Sequence, residues 1–298
     1  MITVFGSTNL DQVGTVSRLP KPGETVAGGT FSMAAGGKGA NQALAARRAG
    51  AEVRHVSAVG KDAFAALALD LLEKDGVDLS ALKHVDGPTG IAMIFVDGHG
   101  ENVIAVLPGA NGTMTAADAD AALAQVNGGI LLLQQEIPQA ATERALDLAR
   151  QNGITAILNT APFLDTTKAL APKADILIAN ETEFALLTGR GIDELDAAMA
   201  DWAKAHDQTV IVTLGGDGAR AATADGKTIS VPALKVTPID TVGAGDTFCG
   251  YLAAGLDAGL ELEAAMQRAA VAASLACLKP GAQPAIPMAD EVEAAMRG

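Results

Sequence analysis

Short apolar runs and amphipathic stretches alternate along most of the chain. The apolar runs are rich in valine, isoleucine and leucine, which is typical of buried strands. They read ITVFG from Ile2, VRHVSAV from Val53, ILLLQQ from Ile130, ITAILN from Ile154, DILIA from Asp175 and TVIVTLG from Thr209. Between them, NQALAARRAG, AFAALALDLLEKDG and ATERALDLARQNG have helical spacing and end in glycine. The alternation predicts βαβ units, and therefore an α/β fold with a mostly parallel sheet and helices on both faces.

The last third of the chain is predicted to be largely helical. Helices are expected at residues 245–258, 262–278 and 289–297. No internal repeat or low-complexity linker interrupts the pattern. We therefore expect one domain that spans residues 1–298.

Two segments depart from the βαβ rhythm. Residues 10–31 are rich in glycine, proline and threonine, and residues 90–111 hold two β-branched runs around Asp-Gly-His-Gly, which is a hairpin signal. We expect these lid segments, at about 10–33 and 89–107, to form a small second sheet. It would cover the carboxyl ends of the main strands, where open α/β sheets bind ligands.

Composition and charge narrow the choice of partner and compartment. The chain has 298 residues, is 49% hydrophobic and carries 35 acidic against 21 basic residues, a formal net charge of -14. Such a surface repels phosphate backbones, so nucleic acids and anionic membranes are not expected partners. Met1 leads directly into ITVFGS, without a signal peptide, and the two cysteines give no disulfide framework. We therefore expect a cytoplasmic protein.

The stretch DTVGAGDTF, residues 240–248, carries the clearest chemistry. Backbone N–H groups of Gly243, Ala244 and Gly245, at the start of a predicted helix, form an anion hole. Asp246 follows in the first turn of that helix. A carboxylate there can accept a proton from a hydroxyl while the hole stabilises the transferred group. The combination suits phosphoryl transfer to an alcohol.

A second polar group follows the predicted strand DILIA. In ANETEF, Asn180 and Glu183 lie three positions apart. This spacing is that of a capping arrangement at a helix start, and it equally suits residues that hold magnesium-bound waters near phosphates. The residues alone leave both interpretations open.

Two glycine-rich segments resemble nucleotide motifs but lack essential parts. In AAGGKGANQA, Lys38 is followed by Gly39 instead of serine or threonine, so a Walker A motif is excluded. Lys38 and Asn41 open a helix there and can meet a hydroxylated ligand. GGDGARA is followed by strand-like sequence, which excludes a dinucleotide-binding turn. The four histidines have no metal-site spacing.

The order and spacing of several motifs together resemble the ribokinases of the PfkB carbohydrate-kinase family from end to end. The motifs are GSTNLDQV, PKPGETV, AAGGKGANQA, TGIAMIFVDGHGENVI, PGAN, NETEF, TLGGDGA, DTVGAGDTF and KPGAQPAIP. The resemblance implies a three-layer α/β/α sandwich with a small β-sheet lid. It also implies ATP-dependent phosphorylation of D-ribose at the 5-hydroxyl, with Asp246 as the base.

The resemblance also implies further site residues. Those expected to bind the sugar are Asn9, Asp11, Gly37, Lys38, Asn41 and Glu136. Those expected to bind ATP are Asn180, Thr213, Leu214, Gly215, Gly216, Asp217, Gly218, Gly245 and Ala270, and Glu183 is expected to hold Mg²⁺ through water. Those expected to enclose an activating K⁺ are Asp240, Val242, Ala276, Lys279, Gly281 and Ala285. Relatives clasp each other through the lid, so we expect a homodimer, with open sheet edges at residues 13–16 and 103–106.

Departures from the family pattern concern the nucleotide more than the reaction. Ala270 stands where many relatives have asparagine or histidine, Ala285 replaces a common serine, and Thr160 replaces a frequent proline. Alternatives remain: a kinase for fructose, deoxyribose or adenosine, or a sugar-binding protein without activity. A nucleoside kinase would be expected to have aromatic side chains that stack on the base, and the lid segments contain only Phe31 and Phe95. A non-catalytic protein would be expected to have a damaged GAGD, which is intact.

Overall fold

Strands and helices alternate through most of the chain in the computed structural model, which describes residues 1–297. The strands are β1 (Ile2–Phe5), β2 (Asn9–Val16), β3 (Gly28–Gly36), β4 (Val53–Val56), β5 (Ala58–Gly60), β6 (Lys83–Val85), β7 (Gly90–Val96), β8 (Asn102–Leu107), β9 (Ile130–Leu133), β10 (Thr155–Asn159), β11 (Ile176–Asn180), β12 (Thr209–Thr213), β13 (Ala219–Ala222) and β14 (Thr228–Val231). The helices are α1 (Lys38–Arg48), α2 (Ala63–Lys74), α3 (Ala116–Leu123), α4 (Gln139–Gln151), α5 (Thr167–Leu170), α6 (Glu181–Thr188), α7 (Leu195–His206), α8 (Ala244–Asp257), α9 (Leu262–Ala276) and α10 (Ala289–Arg297).

The main sheet has eight strands in the order β14-β13-β12-β11-β10-β9-β1-β4. The strands from β12 to β4 are parallel, and β13 and β14 add an antiparallel hairpin at one edge. The sheet is therefore mostly parallel, as predicted. The strand-like sequence after GGDG forms this hairpin, which confirms that no dinucleotide-binding helix follows it.

Two apolar cores lie on opposite faces of the main sheet. Along β9, Ile130 and Leu132 belong to one core, whereas Leu131 and Leu133 belong to the other, and all four are buried. Alternate side chains of a strand point to opposite faces, so a strand covered on both sides reads as a continuous apolar run. The three-layer α/β/α architecture follows from this pattern and is confirmed.

The lid is a separate four-stranded sheet in the order β3-β2-β7-β8. Strand β2 pairs with β3 on one side and with β7 on the other. The expectation of an open edge at residues 13–16 is therefore wrong, because this part of β2 is internal to the sheet; the edges are β3 and β8. The lid carries many exposed apolar side chains. They are Phe31, Met33, Met93, Phe95, Val103, Ile104, Val106 and Leu107.

The predicted strand VRHVSAV is two strands in the structure. Its first half is β4 of the main sheet, and its second half is β5, which pairs with β6 in a two-stranded sheet of its own. Between them, the Ser57 carbonyl accepts a hydrogen bond from the Lys83 N–H. Within residues 1–297, no helix has both the length and the apolar composition needed to cross a bilayer.

Candidate active site

The turn between β3 and α1 packs against residues 7–9, which follow β1. Gly37 adopts φ 88°, and a Cβ there would lie 2.7 Å from the backbone nitrogen of Asn9. Only glycine combines that left-handed conformation with so close an approach. The turn therefore brings Asn9, Gly37 and the start of α1 together.

Asn111 holds Asn9 in place. The Nδ2 of Asn111 donates to Asn9 Oδ1 at 2.7 Å and to the Thr8 carbonyl at 3.0 Å, while its Oδ1 accepts from the Thr8 N–H at 2.9 Å. A Cβ at Gly90 would lie 2.4 Å from Asn9 Oδ1, so the start of β7 closes over this pair. Asn111 is the last residue of the PGAN motif, but nothing in that motif identifies it as the partner of Asn9.

Glu136 follows β9 and contacts the start of α1. Its Oε2 accepts from Ser7 Oγ at 2.5 Å and from the Lys38 N–H at 3.0 Å. Ser7 Oγ in turn accepts from the Gly39 N–H at 3.3 Å. The carboxylate thus ties the end of β9 to the first turn of α1.

Asp11, Lys38, Glu136 and Asp246 lie close enough for their charges to interact, and we call this group the charged pocket. Burial, followed by the negative charges of Glu136 and Asp246, raises the pKa of Asp11 to about 7. Lys38 acts in the opposite direction. The negative charge of Asp246 is also the main cause that raises the pKa of Lys38. A Cβ at Gly36 would lie 2.4 Å from Asp11 Oδ2, so β3 presses closely on this carboxyl group.

Asp246 is buried, with 7% of its surface exposed, and amide groups hold both of its oxygens. Asn41 Nδ2 donates to Oδ2 and Gln42 Nε2 donates to Oδ1, each at 2.9 Å. The two donors are consecutive residues of α1. The predicted sugar ligand Asn41 therefore contacts the predicted base directly, whereas Gln42 was not identified from the sequence.

Helix α8 begins without a side-chain cap. Its N-cap is Gly243, the first residue of the GAGD motif, which adopts φ 77°. A Cβ at Gly243 would lie 2.9 Å from the Cβ of Ala282, so a second loop packs against this turn. Of the three amides of the predicted anion hole, that of Ala244 donates to the Thr241 carbonyl at 3.3 Å. Amides of a first helical turn have no partner within the helix, so the end of α8 can bind an anion.

A cavity of about 540 Å³ opens beside the start of α8. Its lining residues are Asn180, Glu181, Thr213, Gly215, Gly216, Gly218, Ala233, Leu234, Lys235, Val236, Pro238, Thr241, Ala244, Gly245, Phe248, Ala270, Ala273, Ser274 and Cys277. Most of the predicted ATP ligands are among them. Leu214 and Asp217 are not; Leu214 packs against the apolar core, and Asp217 ends a short 3-10 turn.

The side chains that follow β11 form a closed helix cap. Asn180 Oδ1 accepts from the Glu183 N–H at 2.8 Å, and Glu183 Oε2 accepts from the Asn180 N–H at 3.0 Å. Thr160 Oγ1 donates to the same Glu183 oxygen at 3.0 Å. This is the capping box that the spacing allowed. It directs one carboxylate oxygen of Glu183, Oε2, to the protein.

Asp240 joins the two loops of the predicted potassium site. Its Oδ1 accepts from the Val242 N–H at 3.0 Å, and its Oδ2 accepts from the Gly281 N–H at 2.8 Å. The Lys279 side chain points to Glu291 at 3.2 Å. Ala276 and Ala285 are both buried. Asp240, Val242 and Gly281 are thus in direct contact.

Residues 1–289 match the pfkB family of carbohydrate kinases. The chain is similar to a ribokinase of Haemophilus influenzae, with 36% identity over 97% of this chain and 96% of the relative. It is also similar to a deoxyribokinase of Salmonella typhi, with 33% identity over 97% of this chain and 96% of the relative. Among solved structures, an Arabidopsis thaliana ribokinase complexed with ribose and ATP matches with a TM-score of 0.90 and 32% identity, covering 100% of this chain and 98% of that one.

Proposed function

Because the chain belongs to the pfkB family of carbohydrate kinases, we propose that it transfers the γ-phosphate of ATP to the 5-hydroxyl of D-ribose, with Asp246 as general base. One observation carries the proposal. Asp246 belongs to the charged pocket and accepts a hydrogen bond from Asn41, while its neighbour Gly245 lines the cavity of about 540 Å³. The carboxylate therefore lies where a sugar hydroxyl from the pocket and a phosphate from the cavity would meet.

The charged pocket supplies the hydrogen-bonding groups that a sugar requires. Asp11 and Glu136 offer carboxylate oxygens, and Lys38 offers N–H donors. Asn41 Oδ1 is buried and has no hydrogen-bond partner among the described residues, so it is free to accept from a hydroxyl group. Together with Asn9 and the backbone of Gly37, these residues are the proposed sugar ligands. Each unpaired buried group in such a site disfavours an analogue that lacks the matching hydroxyl.

The proposed reaction needs one base and one anion hole. Asp246 accepts the proton of the 5-hydroxyl as that oxygen forms its bond to the γ-phosphorus. The bond from phosphorus to the bridging oxygen of ADP breaks, and ADP leaves with that electron pair. Backbone N–H groups of Gly243, Ala244 and Gly245 stabilise the charge on the transferred group.

The cavity is the proposed ATP site. Asn180, Ala270 and the loop from Thr213 to Gly218 contribute to it, Leu214 and Asp217 by shaping the backbone of that loop. Mg²⁺ accompanies ATP in such kinases and neutralises the charge of the phosphates. Carboxylates near the cavity suit its water shell. Glu183 is the proposed residue that holds Mg²⁺ through water. One of its oxygens, Oε2, caps α6, and the second oxygen would bind the water.

We also propose a potassium site between the two loops that Asp240 joins. The proposed ligands are Asp240, Val242, Ala276, Lys279, Gly281 and Ala285. Gly243 packs against Ala282 of the second loop, so an ion there would stiffen the anion hole without touching substrate. K⁺ is expected to raise turnover several-fold over Na⁺, and Asp240→Ala should abolish the difference. Equal rates in K⁺, Na⁺ and a bulky organic cation would contradict the proposal.

The exposed apolar face of the lid supports a homodimer paired through it. Edge strand β8 is exposed along its whole length, and exposed apolar patches of this kind mark protein contacts. Light scattering at micromolar concentration is expected to give the mass of a dimer, and the mass of a monomer would count against the homodimer.

The two cysteines are free, which suits the proposed location in a reducing cytoplasm.

A competition among acceptors tests the activity. With Mg²⁺ and ATP, ribose is offered against 2-deoxyribose, fructose and adenosine, and the phosphorylated products are quantified. Ribose is expected to have the highest kcat/KM. The similarity to a deoxyribokinase makes 2-deoxyribose the second candidate. If fructose or adenosine is preferred, the ribose assignment is wrong while the kinase assignment stands.

A further inference from the structure

The acid in the first turn of α8 does not bond to its own helix. An acid at the third helical position commonly accepts a hydrogen bond from the N-cap N–H, as Glu183 does in α6. Asp246 holds the same position in α8, but both of its oxygens accept from side-chain amides of α1. Its carboxylate is thereby kept away from the amides that the anion hole requires.

The two amides are not equivalent. Asn41 has a free Oδ1 and is a proposed sugar ligand. Gln42 is fully buried, and its amide is saturated by protein groups. Its Nε2 donates to Asp246 Oδ1 at 2.9 Å and to Asn159 Oδ1 at 3.2 Å, and its Oε1 accepts from Gln134 Nε2 at 2.7 Å.

This chain of bonds fixes the orientation of the Gln42 amide. A carboxylate oxygen only accepts, so the nitrogen of Gln42 must face Asp246 and its oxygen must face Gln134. A Cβ at Gly6 would lie 2.0 Å from Gln134 Oε1, so the backbone packs closely on Gln134. Gln134 directs its Nε2 to Gln42, while its own Oε1 is buried and has no hydrogen-bond partner among the described residues.

From this network we infer that Gln42 is a positioning residue, which holds Asp246 in the orientation of a base. The inference rests on the proposed function, because it presumes that Asp246 accepts the proton. A base must lie within hydrogen-bond reach of the hydroxyl, and its rotamer must be locked by packing and by further hydrogen bonds. Gln42 acts through Asp246 alone, since its amide is occupied by protein partners.

Substitution of Gln42 by leucine tests the inference. Gln42→Leu keeps the approximate side-chain volume and removes the N–H donor to Asp246. We expect kcat to fall about 10- to 100-fold, because a small misplacement of a reacting group lowers the rate by about this much. The Kd values of ribose and of ATP, measured by calorimetry, should stay within about threefold, because Gln42 contacts neither ligand.

Gln208→Leu is the matched control. Gln208 is also buried, immediately before β12, and its Nε2 donates to the carbonyls of Ala171 and Ala174. The substitution makes the same chemical change and should lower the melting temperature without lowering kcat. If Gln42→Leu does not fold, the same measurements are made on Gln42→Glu. This variant keeps an acceptor for Gln134 but lacks the N–H donor to Asp246.

A double-mutant cycle separates this inference from the proposed function. In an Asp246→Asn background, Gln42→Leu should change the residual kcat by less than about twofold, because the base on which it acts is gone. An equal loss in both backgrounds, or an unchanged kcat in the single variant, would overturn the role of Gln42. Normal turnover of Asp246→Asn alone would instead overturn the proposed base.

Discussion

Helices α6 and α8 both begin beside the cavity, and each has an acid at its third position, yet the two ends differ. In α6, Asn180 and Glu183 cap each other through two hydrogen bonds. In α8, the N-cap is Gly243, which has no side chain, and Asp246 is bonded to α1 instead. One end is closed by its own residues, and the other is left open.

The difference shows how one local pattern can serve stability or binding. A capping side chain stabilises a helix by about 1 kcal/mol because it satisfies orphan N–H groups. Without it, the same N–H groups and the positive end of the helix dipole attract an anion. The open end of α8 thus lacks the small stabilisation of a cap, and its N–H groups suit the proposed anion hole. What decides between the two outcomes is the partner of the acid.

The largest expected effect comes from neutralising the acid at the open end. Asp246→Asn should lower kcat about 10²- to 10⁴-fold, because the hydroxyl loses its base, while ribose still binds. Steady-state kinetics and calorimetry measure the two quantities. Glu183→Gln makes the same change at the closed end and should cause a smaller loss, together with a higher Mg²⁺ requirement. Comparable losses at both ends would remove the distinction between them.

The next effect concerns the glycine that leaves α8 uncapped. Gly243→Ala forces a side chain into φ 77° and brings its Cβ to 2.9 Å from that of Ala282. We expect a loss of about 1–3 kcal/mol in the free energy of unfolding, measured in urea. Gly259→Ala, with φ 79° and no atom within 4 Å, isolates the backbone strain. If both variants lose equally, the contact with Ala282 contributes nothing.

Asp11 lies near two other acids, Glu136 and Asp246, and makes the stability of the protein depend on pH. Asp11 has a pKa of about 7 in the folded protein against an ordinary 3.8, so between these values the folded state holds a proton that the unfolded state lacks. Its contribution to stability therefore falls as pH rises through this window, by up to about 1.4 kcal/mol per pH unit. Asp11→Asn should lack this part of the slope and gain relative stability at pH 8. Parallel pH profiles of unfolding for both proteins would contradict the shift.

The smallest expected effect lies at the closed end. Asn180→Ala should cost about 1 kcal/mol of stability through loss of the cap, and it should raise the KM for ATP because Asn180 lines the cavity. Thr115→Ala removes the same kind of capping box from α3 and serves as the control. The melting temperature should fall in both, whereas a change of KM in the control would show that the assay reports stability alone.

The hydrophobic pattern predicted most of the main sheet because each buried strand is a local apolar run. It predicted β1 and β9 to β12, but it could not predict that VRHVSAV divides between two sheets, since the division depends on pairing with β6. The internal position of β2 in the lid was missed for the same reason. Strand order is set by partners distant in the sequence.

The candidate site was predictable where a motif carries the residue and unpredictable where a contact does. GAGD and GANQA indicated Asp246 and Asn41 directly. Nothing in GANQA tells which of two adjacent amides saturates its bonds within the protein and which keeps a free oxygen. That distinction between Asn41 and Gln42 depends on Gln134 and Asn159. Gln134 follows β9, and Asn159 is the last residue of β10.

The bonds that hold Asp246 join residues 205 and 204 positions apart in the chain. During synthesis, α1 and all eight strands of the main sheet leave the ribosome before α8. Contacts of such separation require a long loop to close before they can stabilise the protein. Until α8 is made, the amides of Asn41 and Gln42 lack their acceptor, and the core that α8 helps to form on one face of the sheet is incomplete. The proposed base therefore reaches its position only when α8 docks on α1.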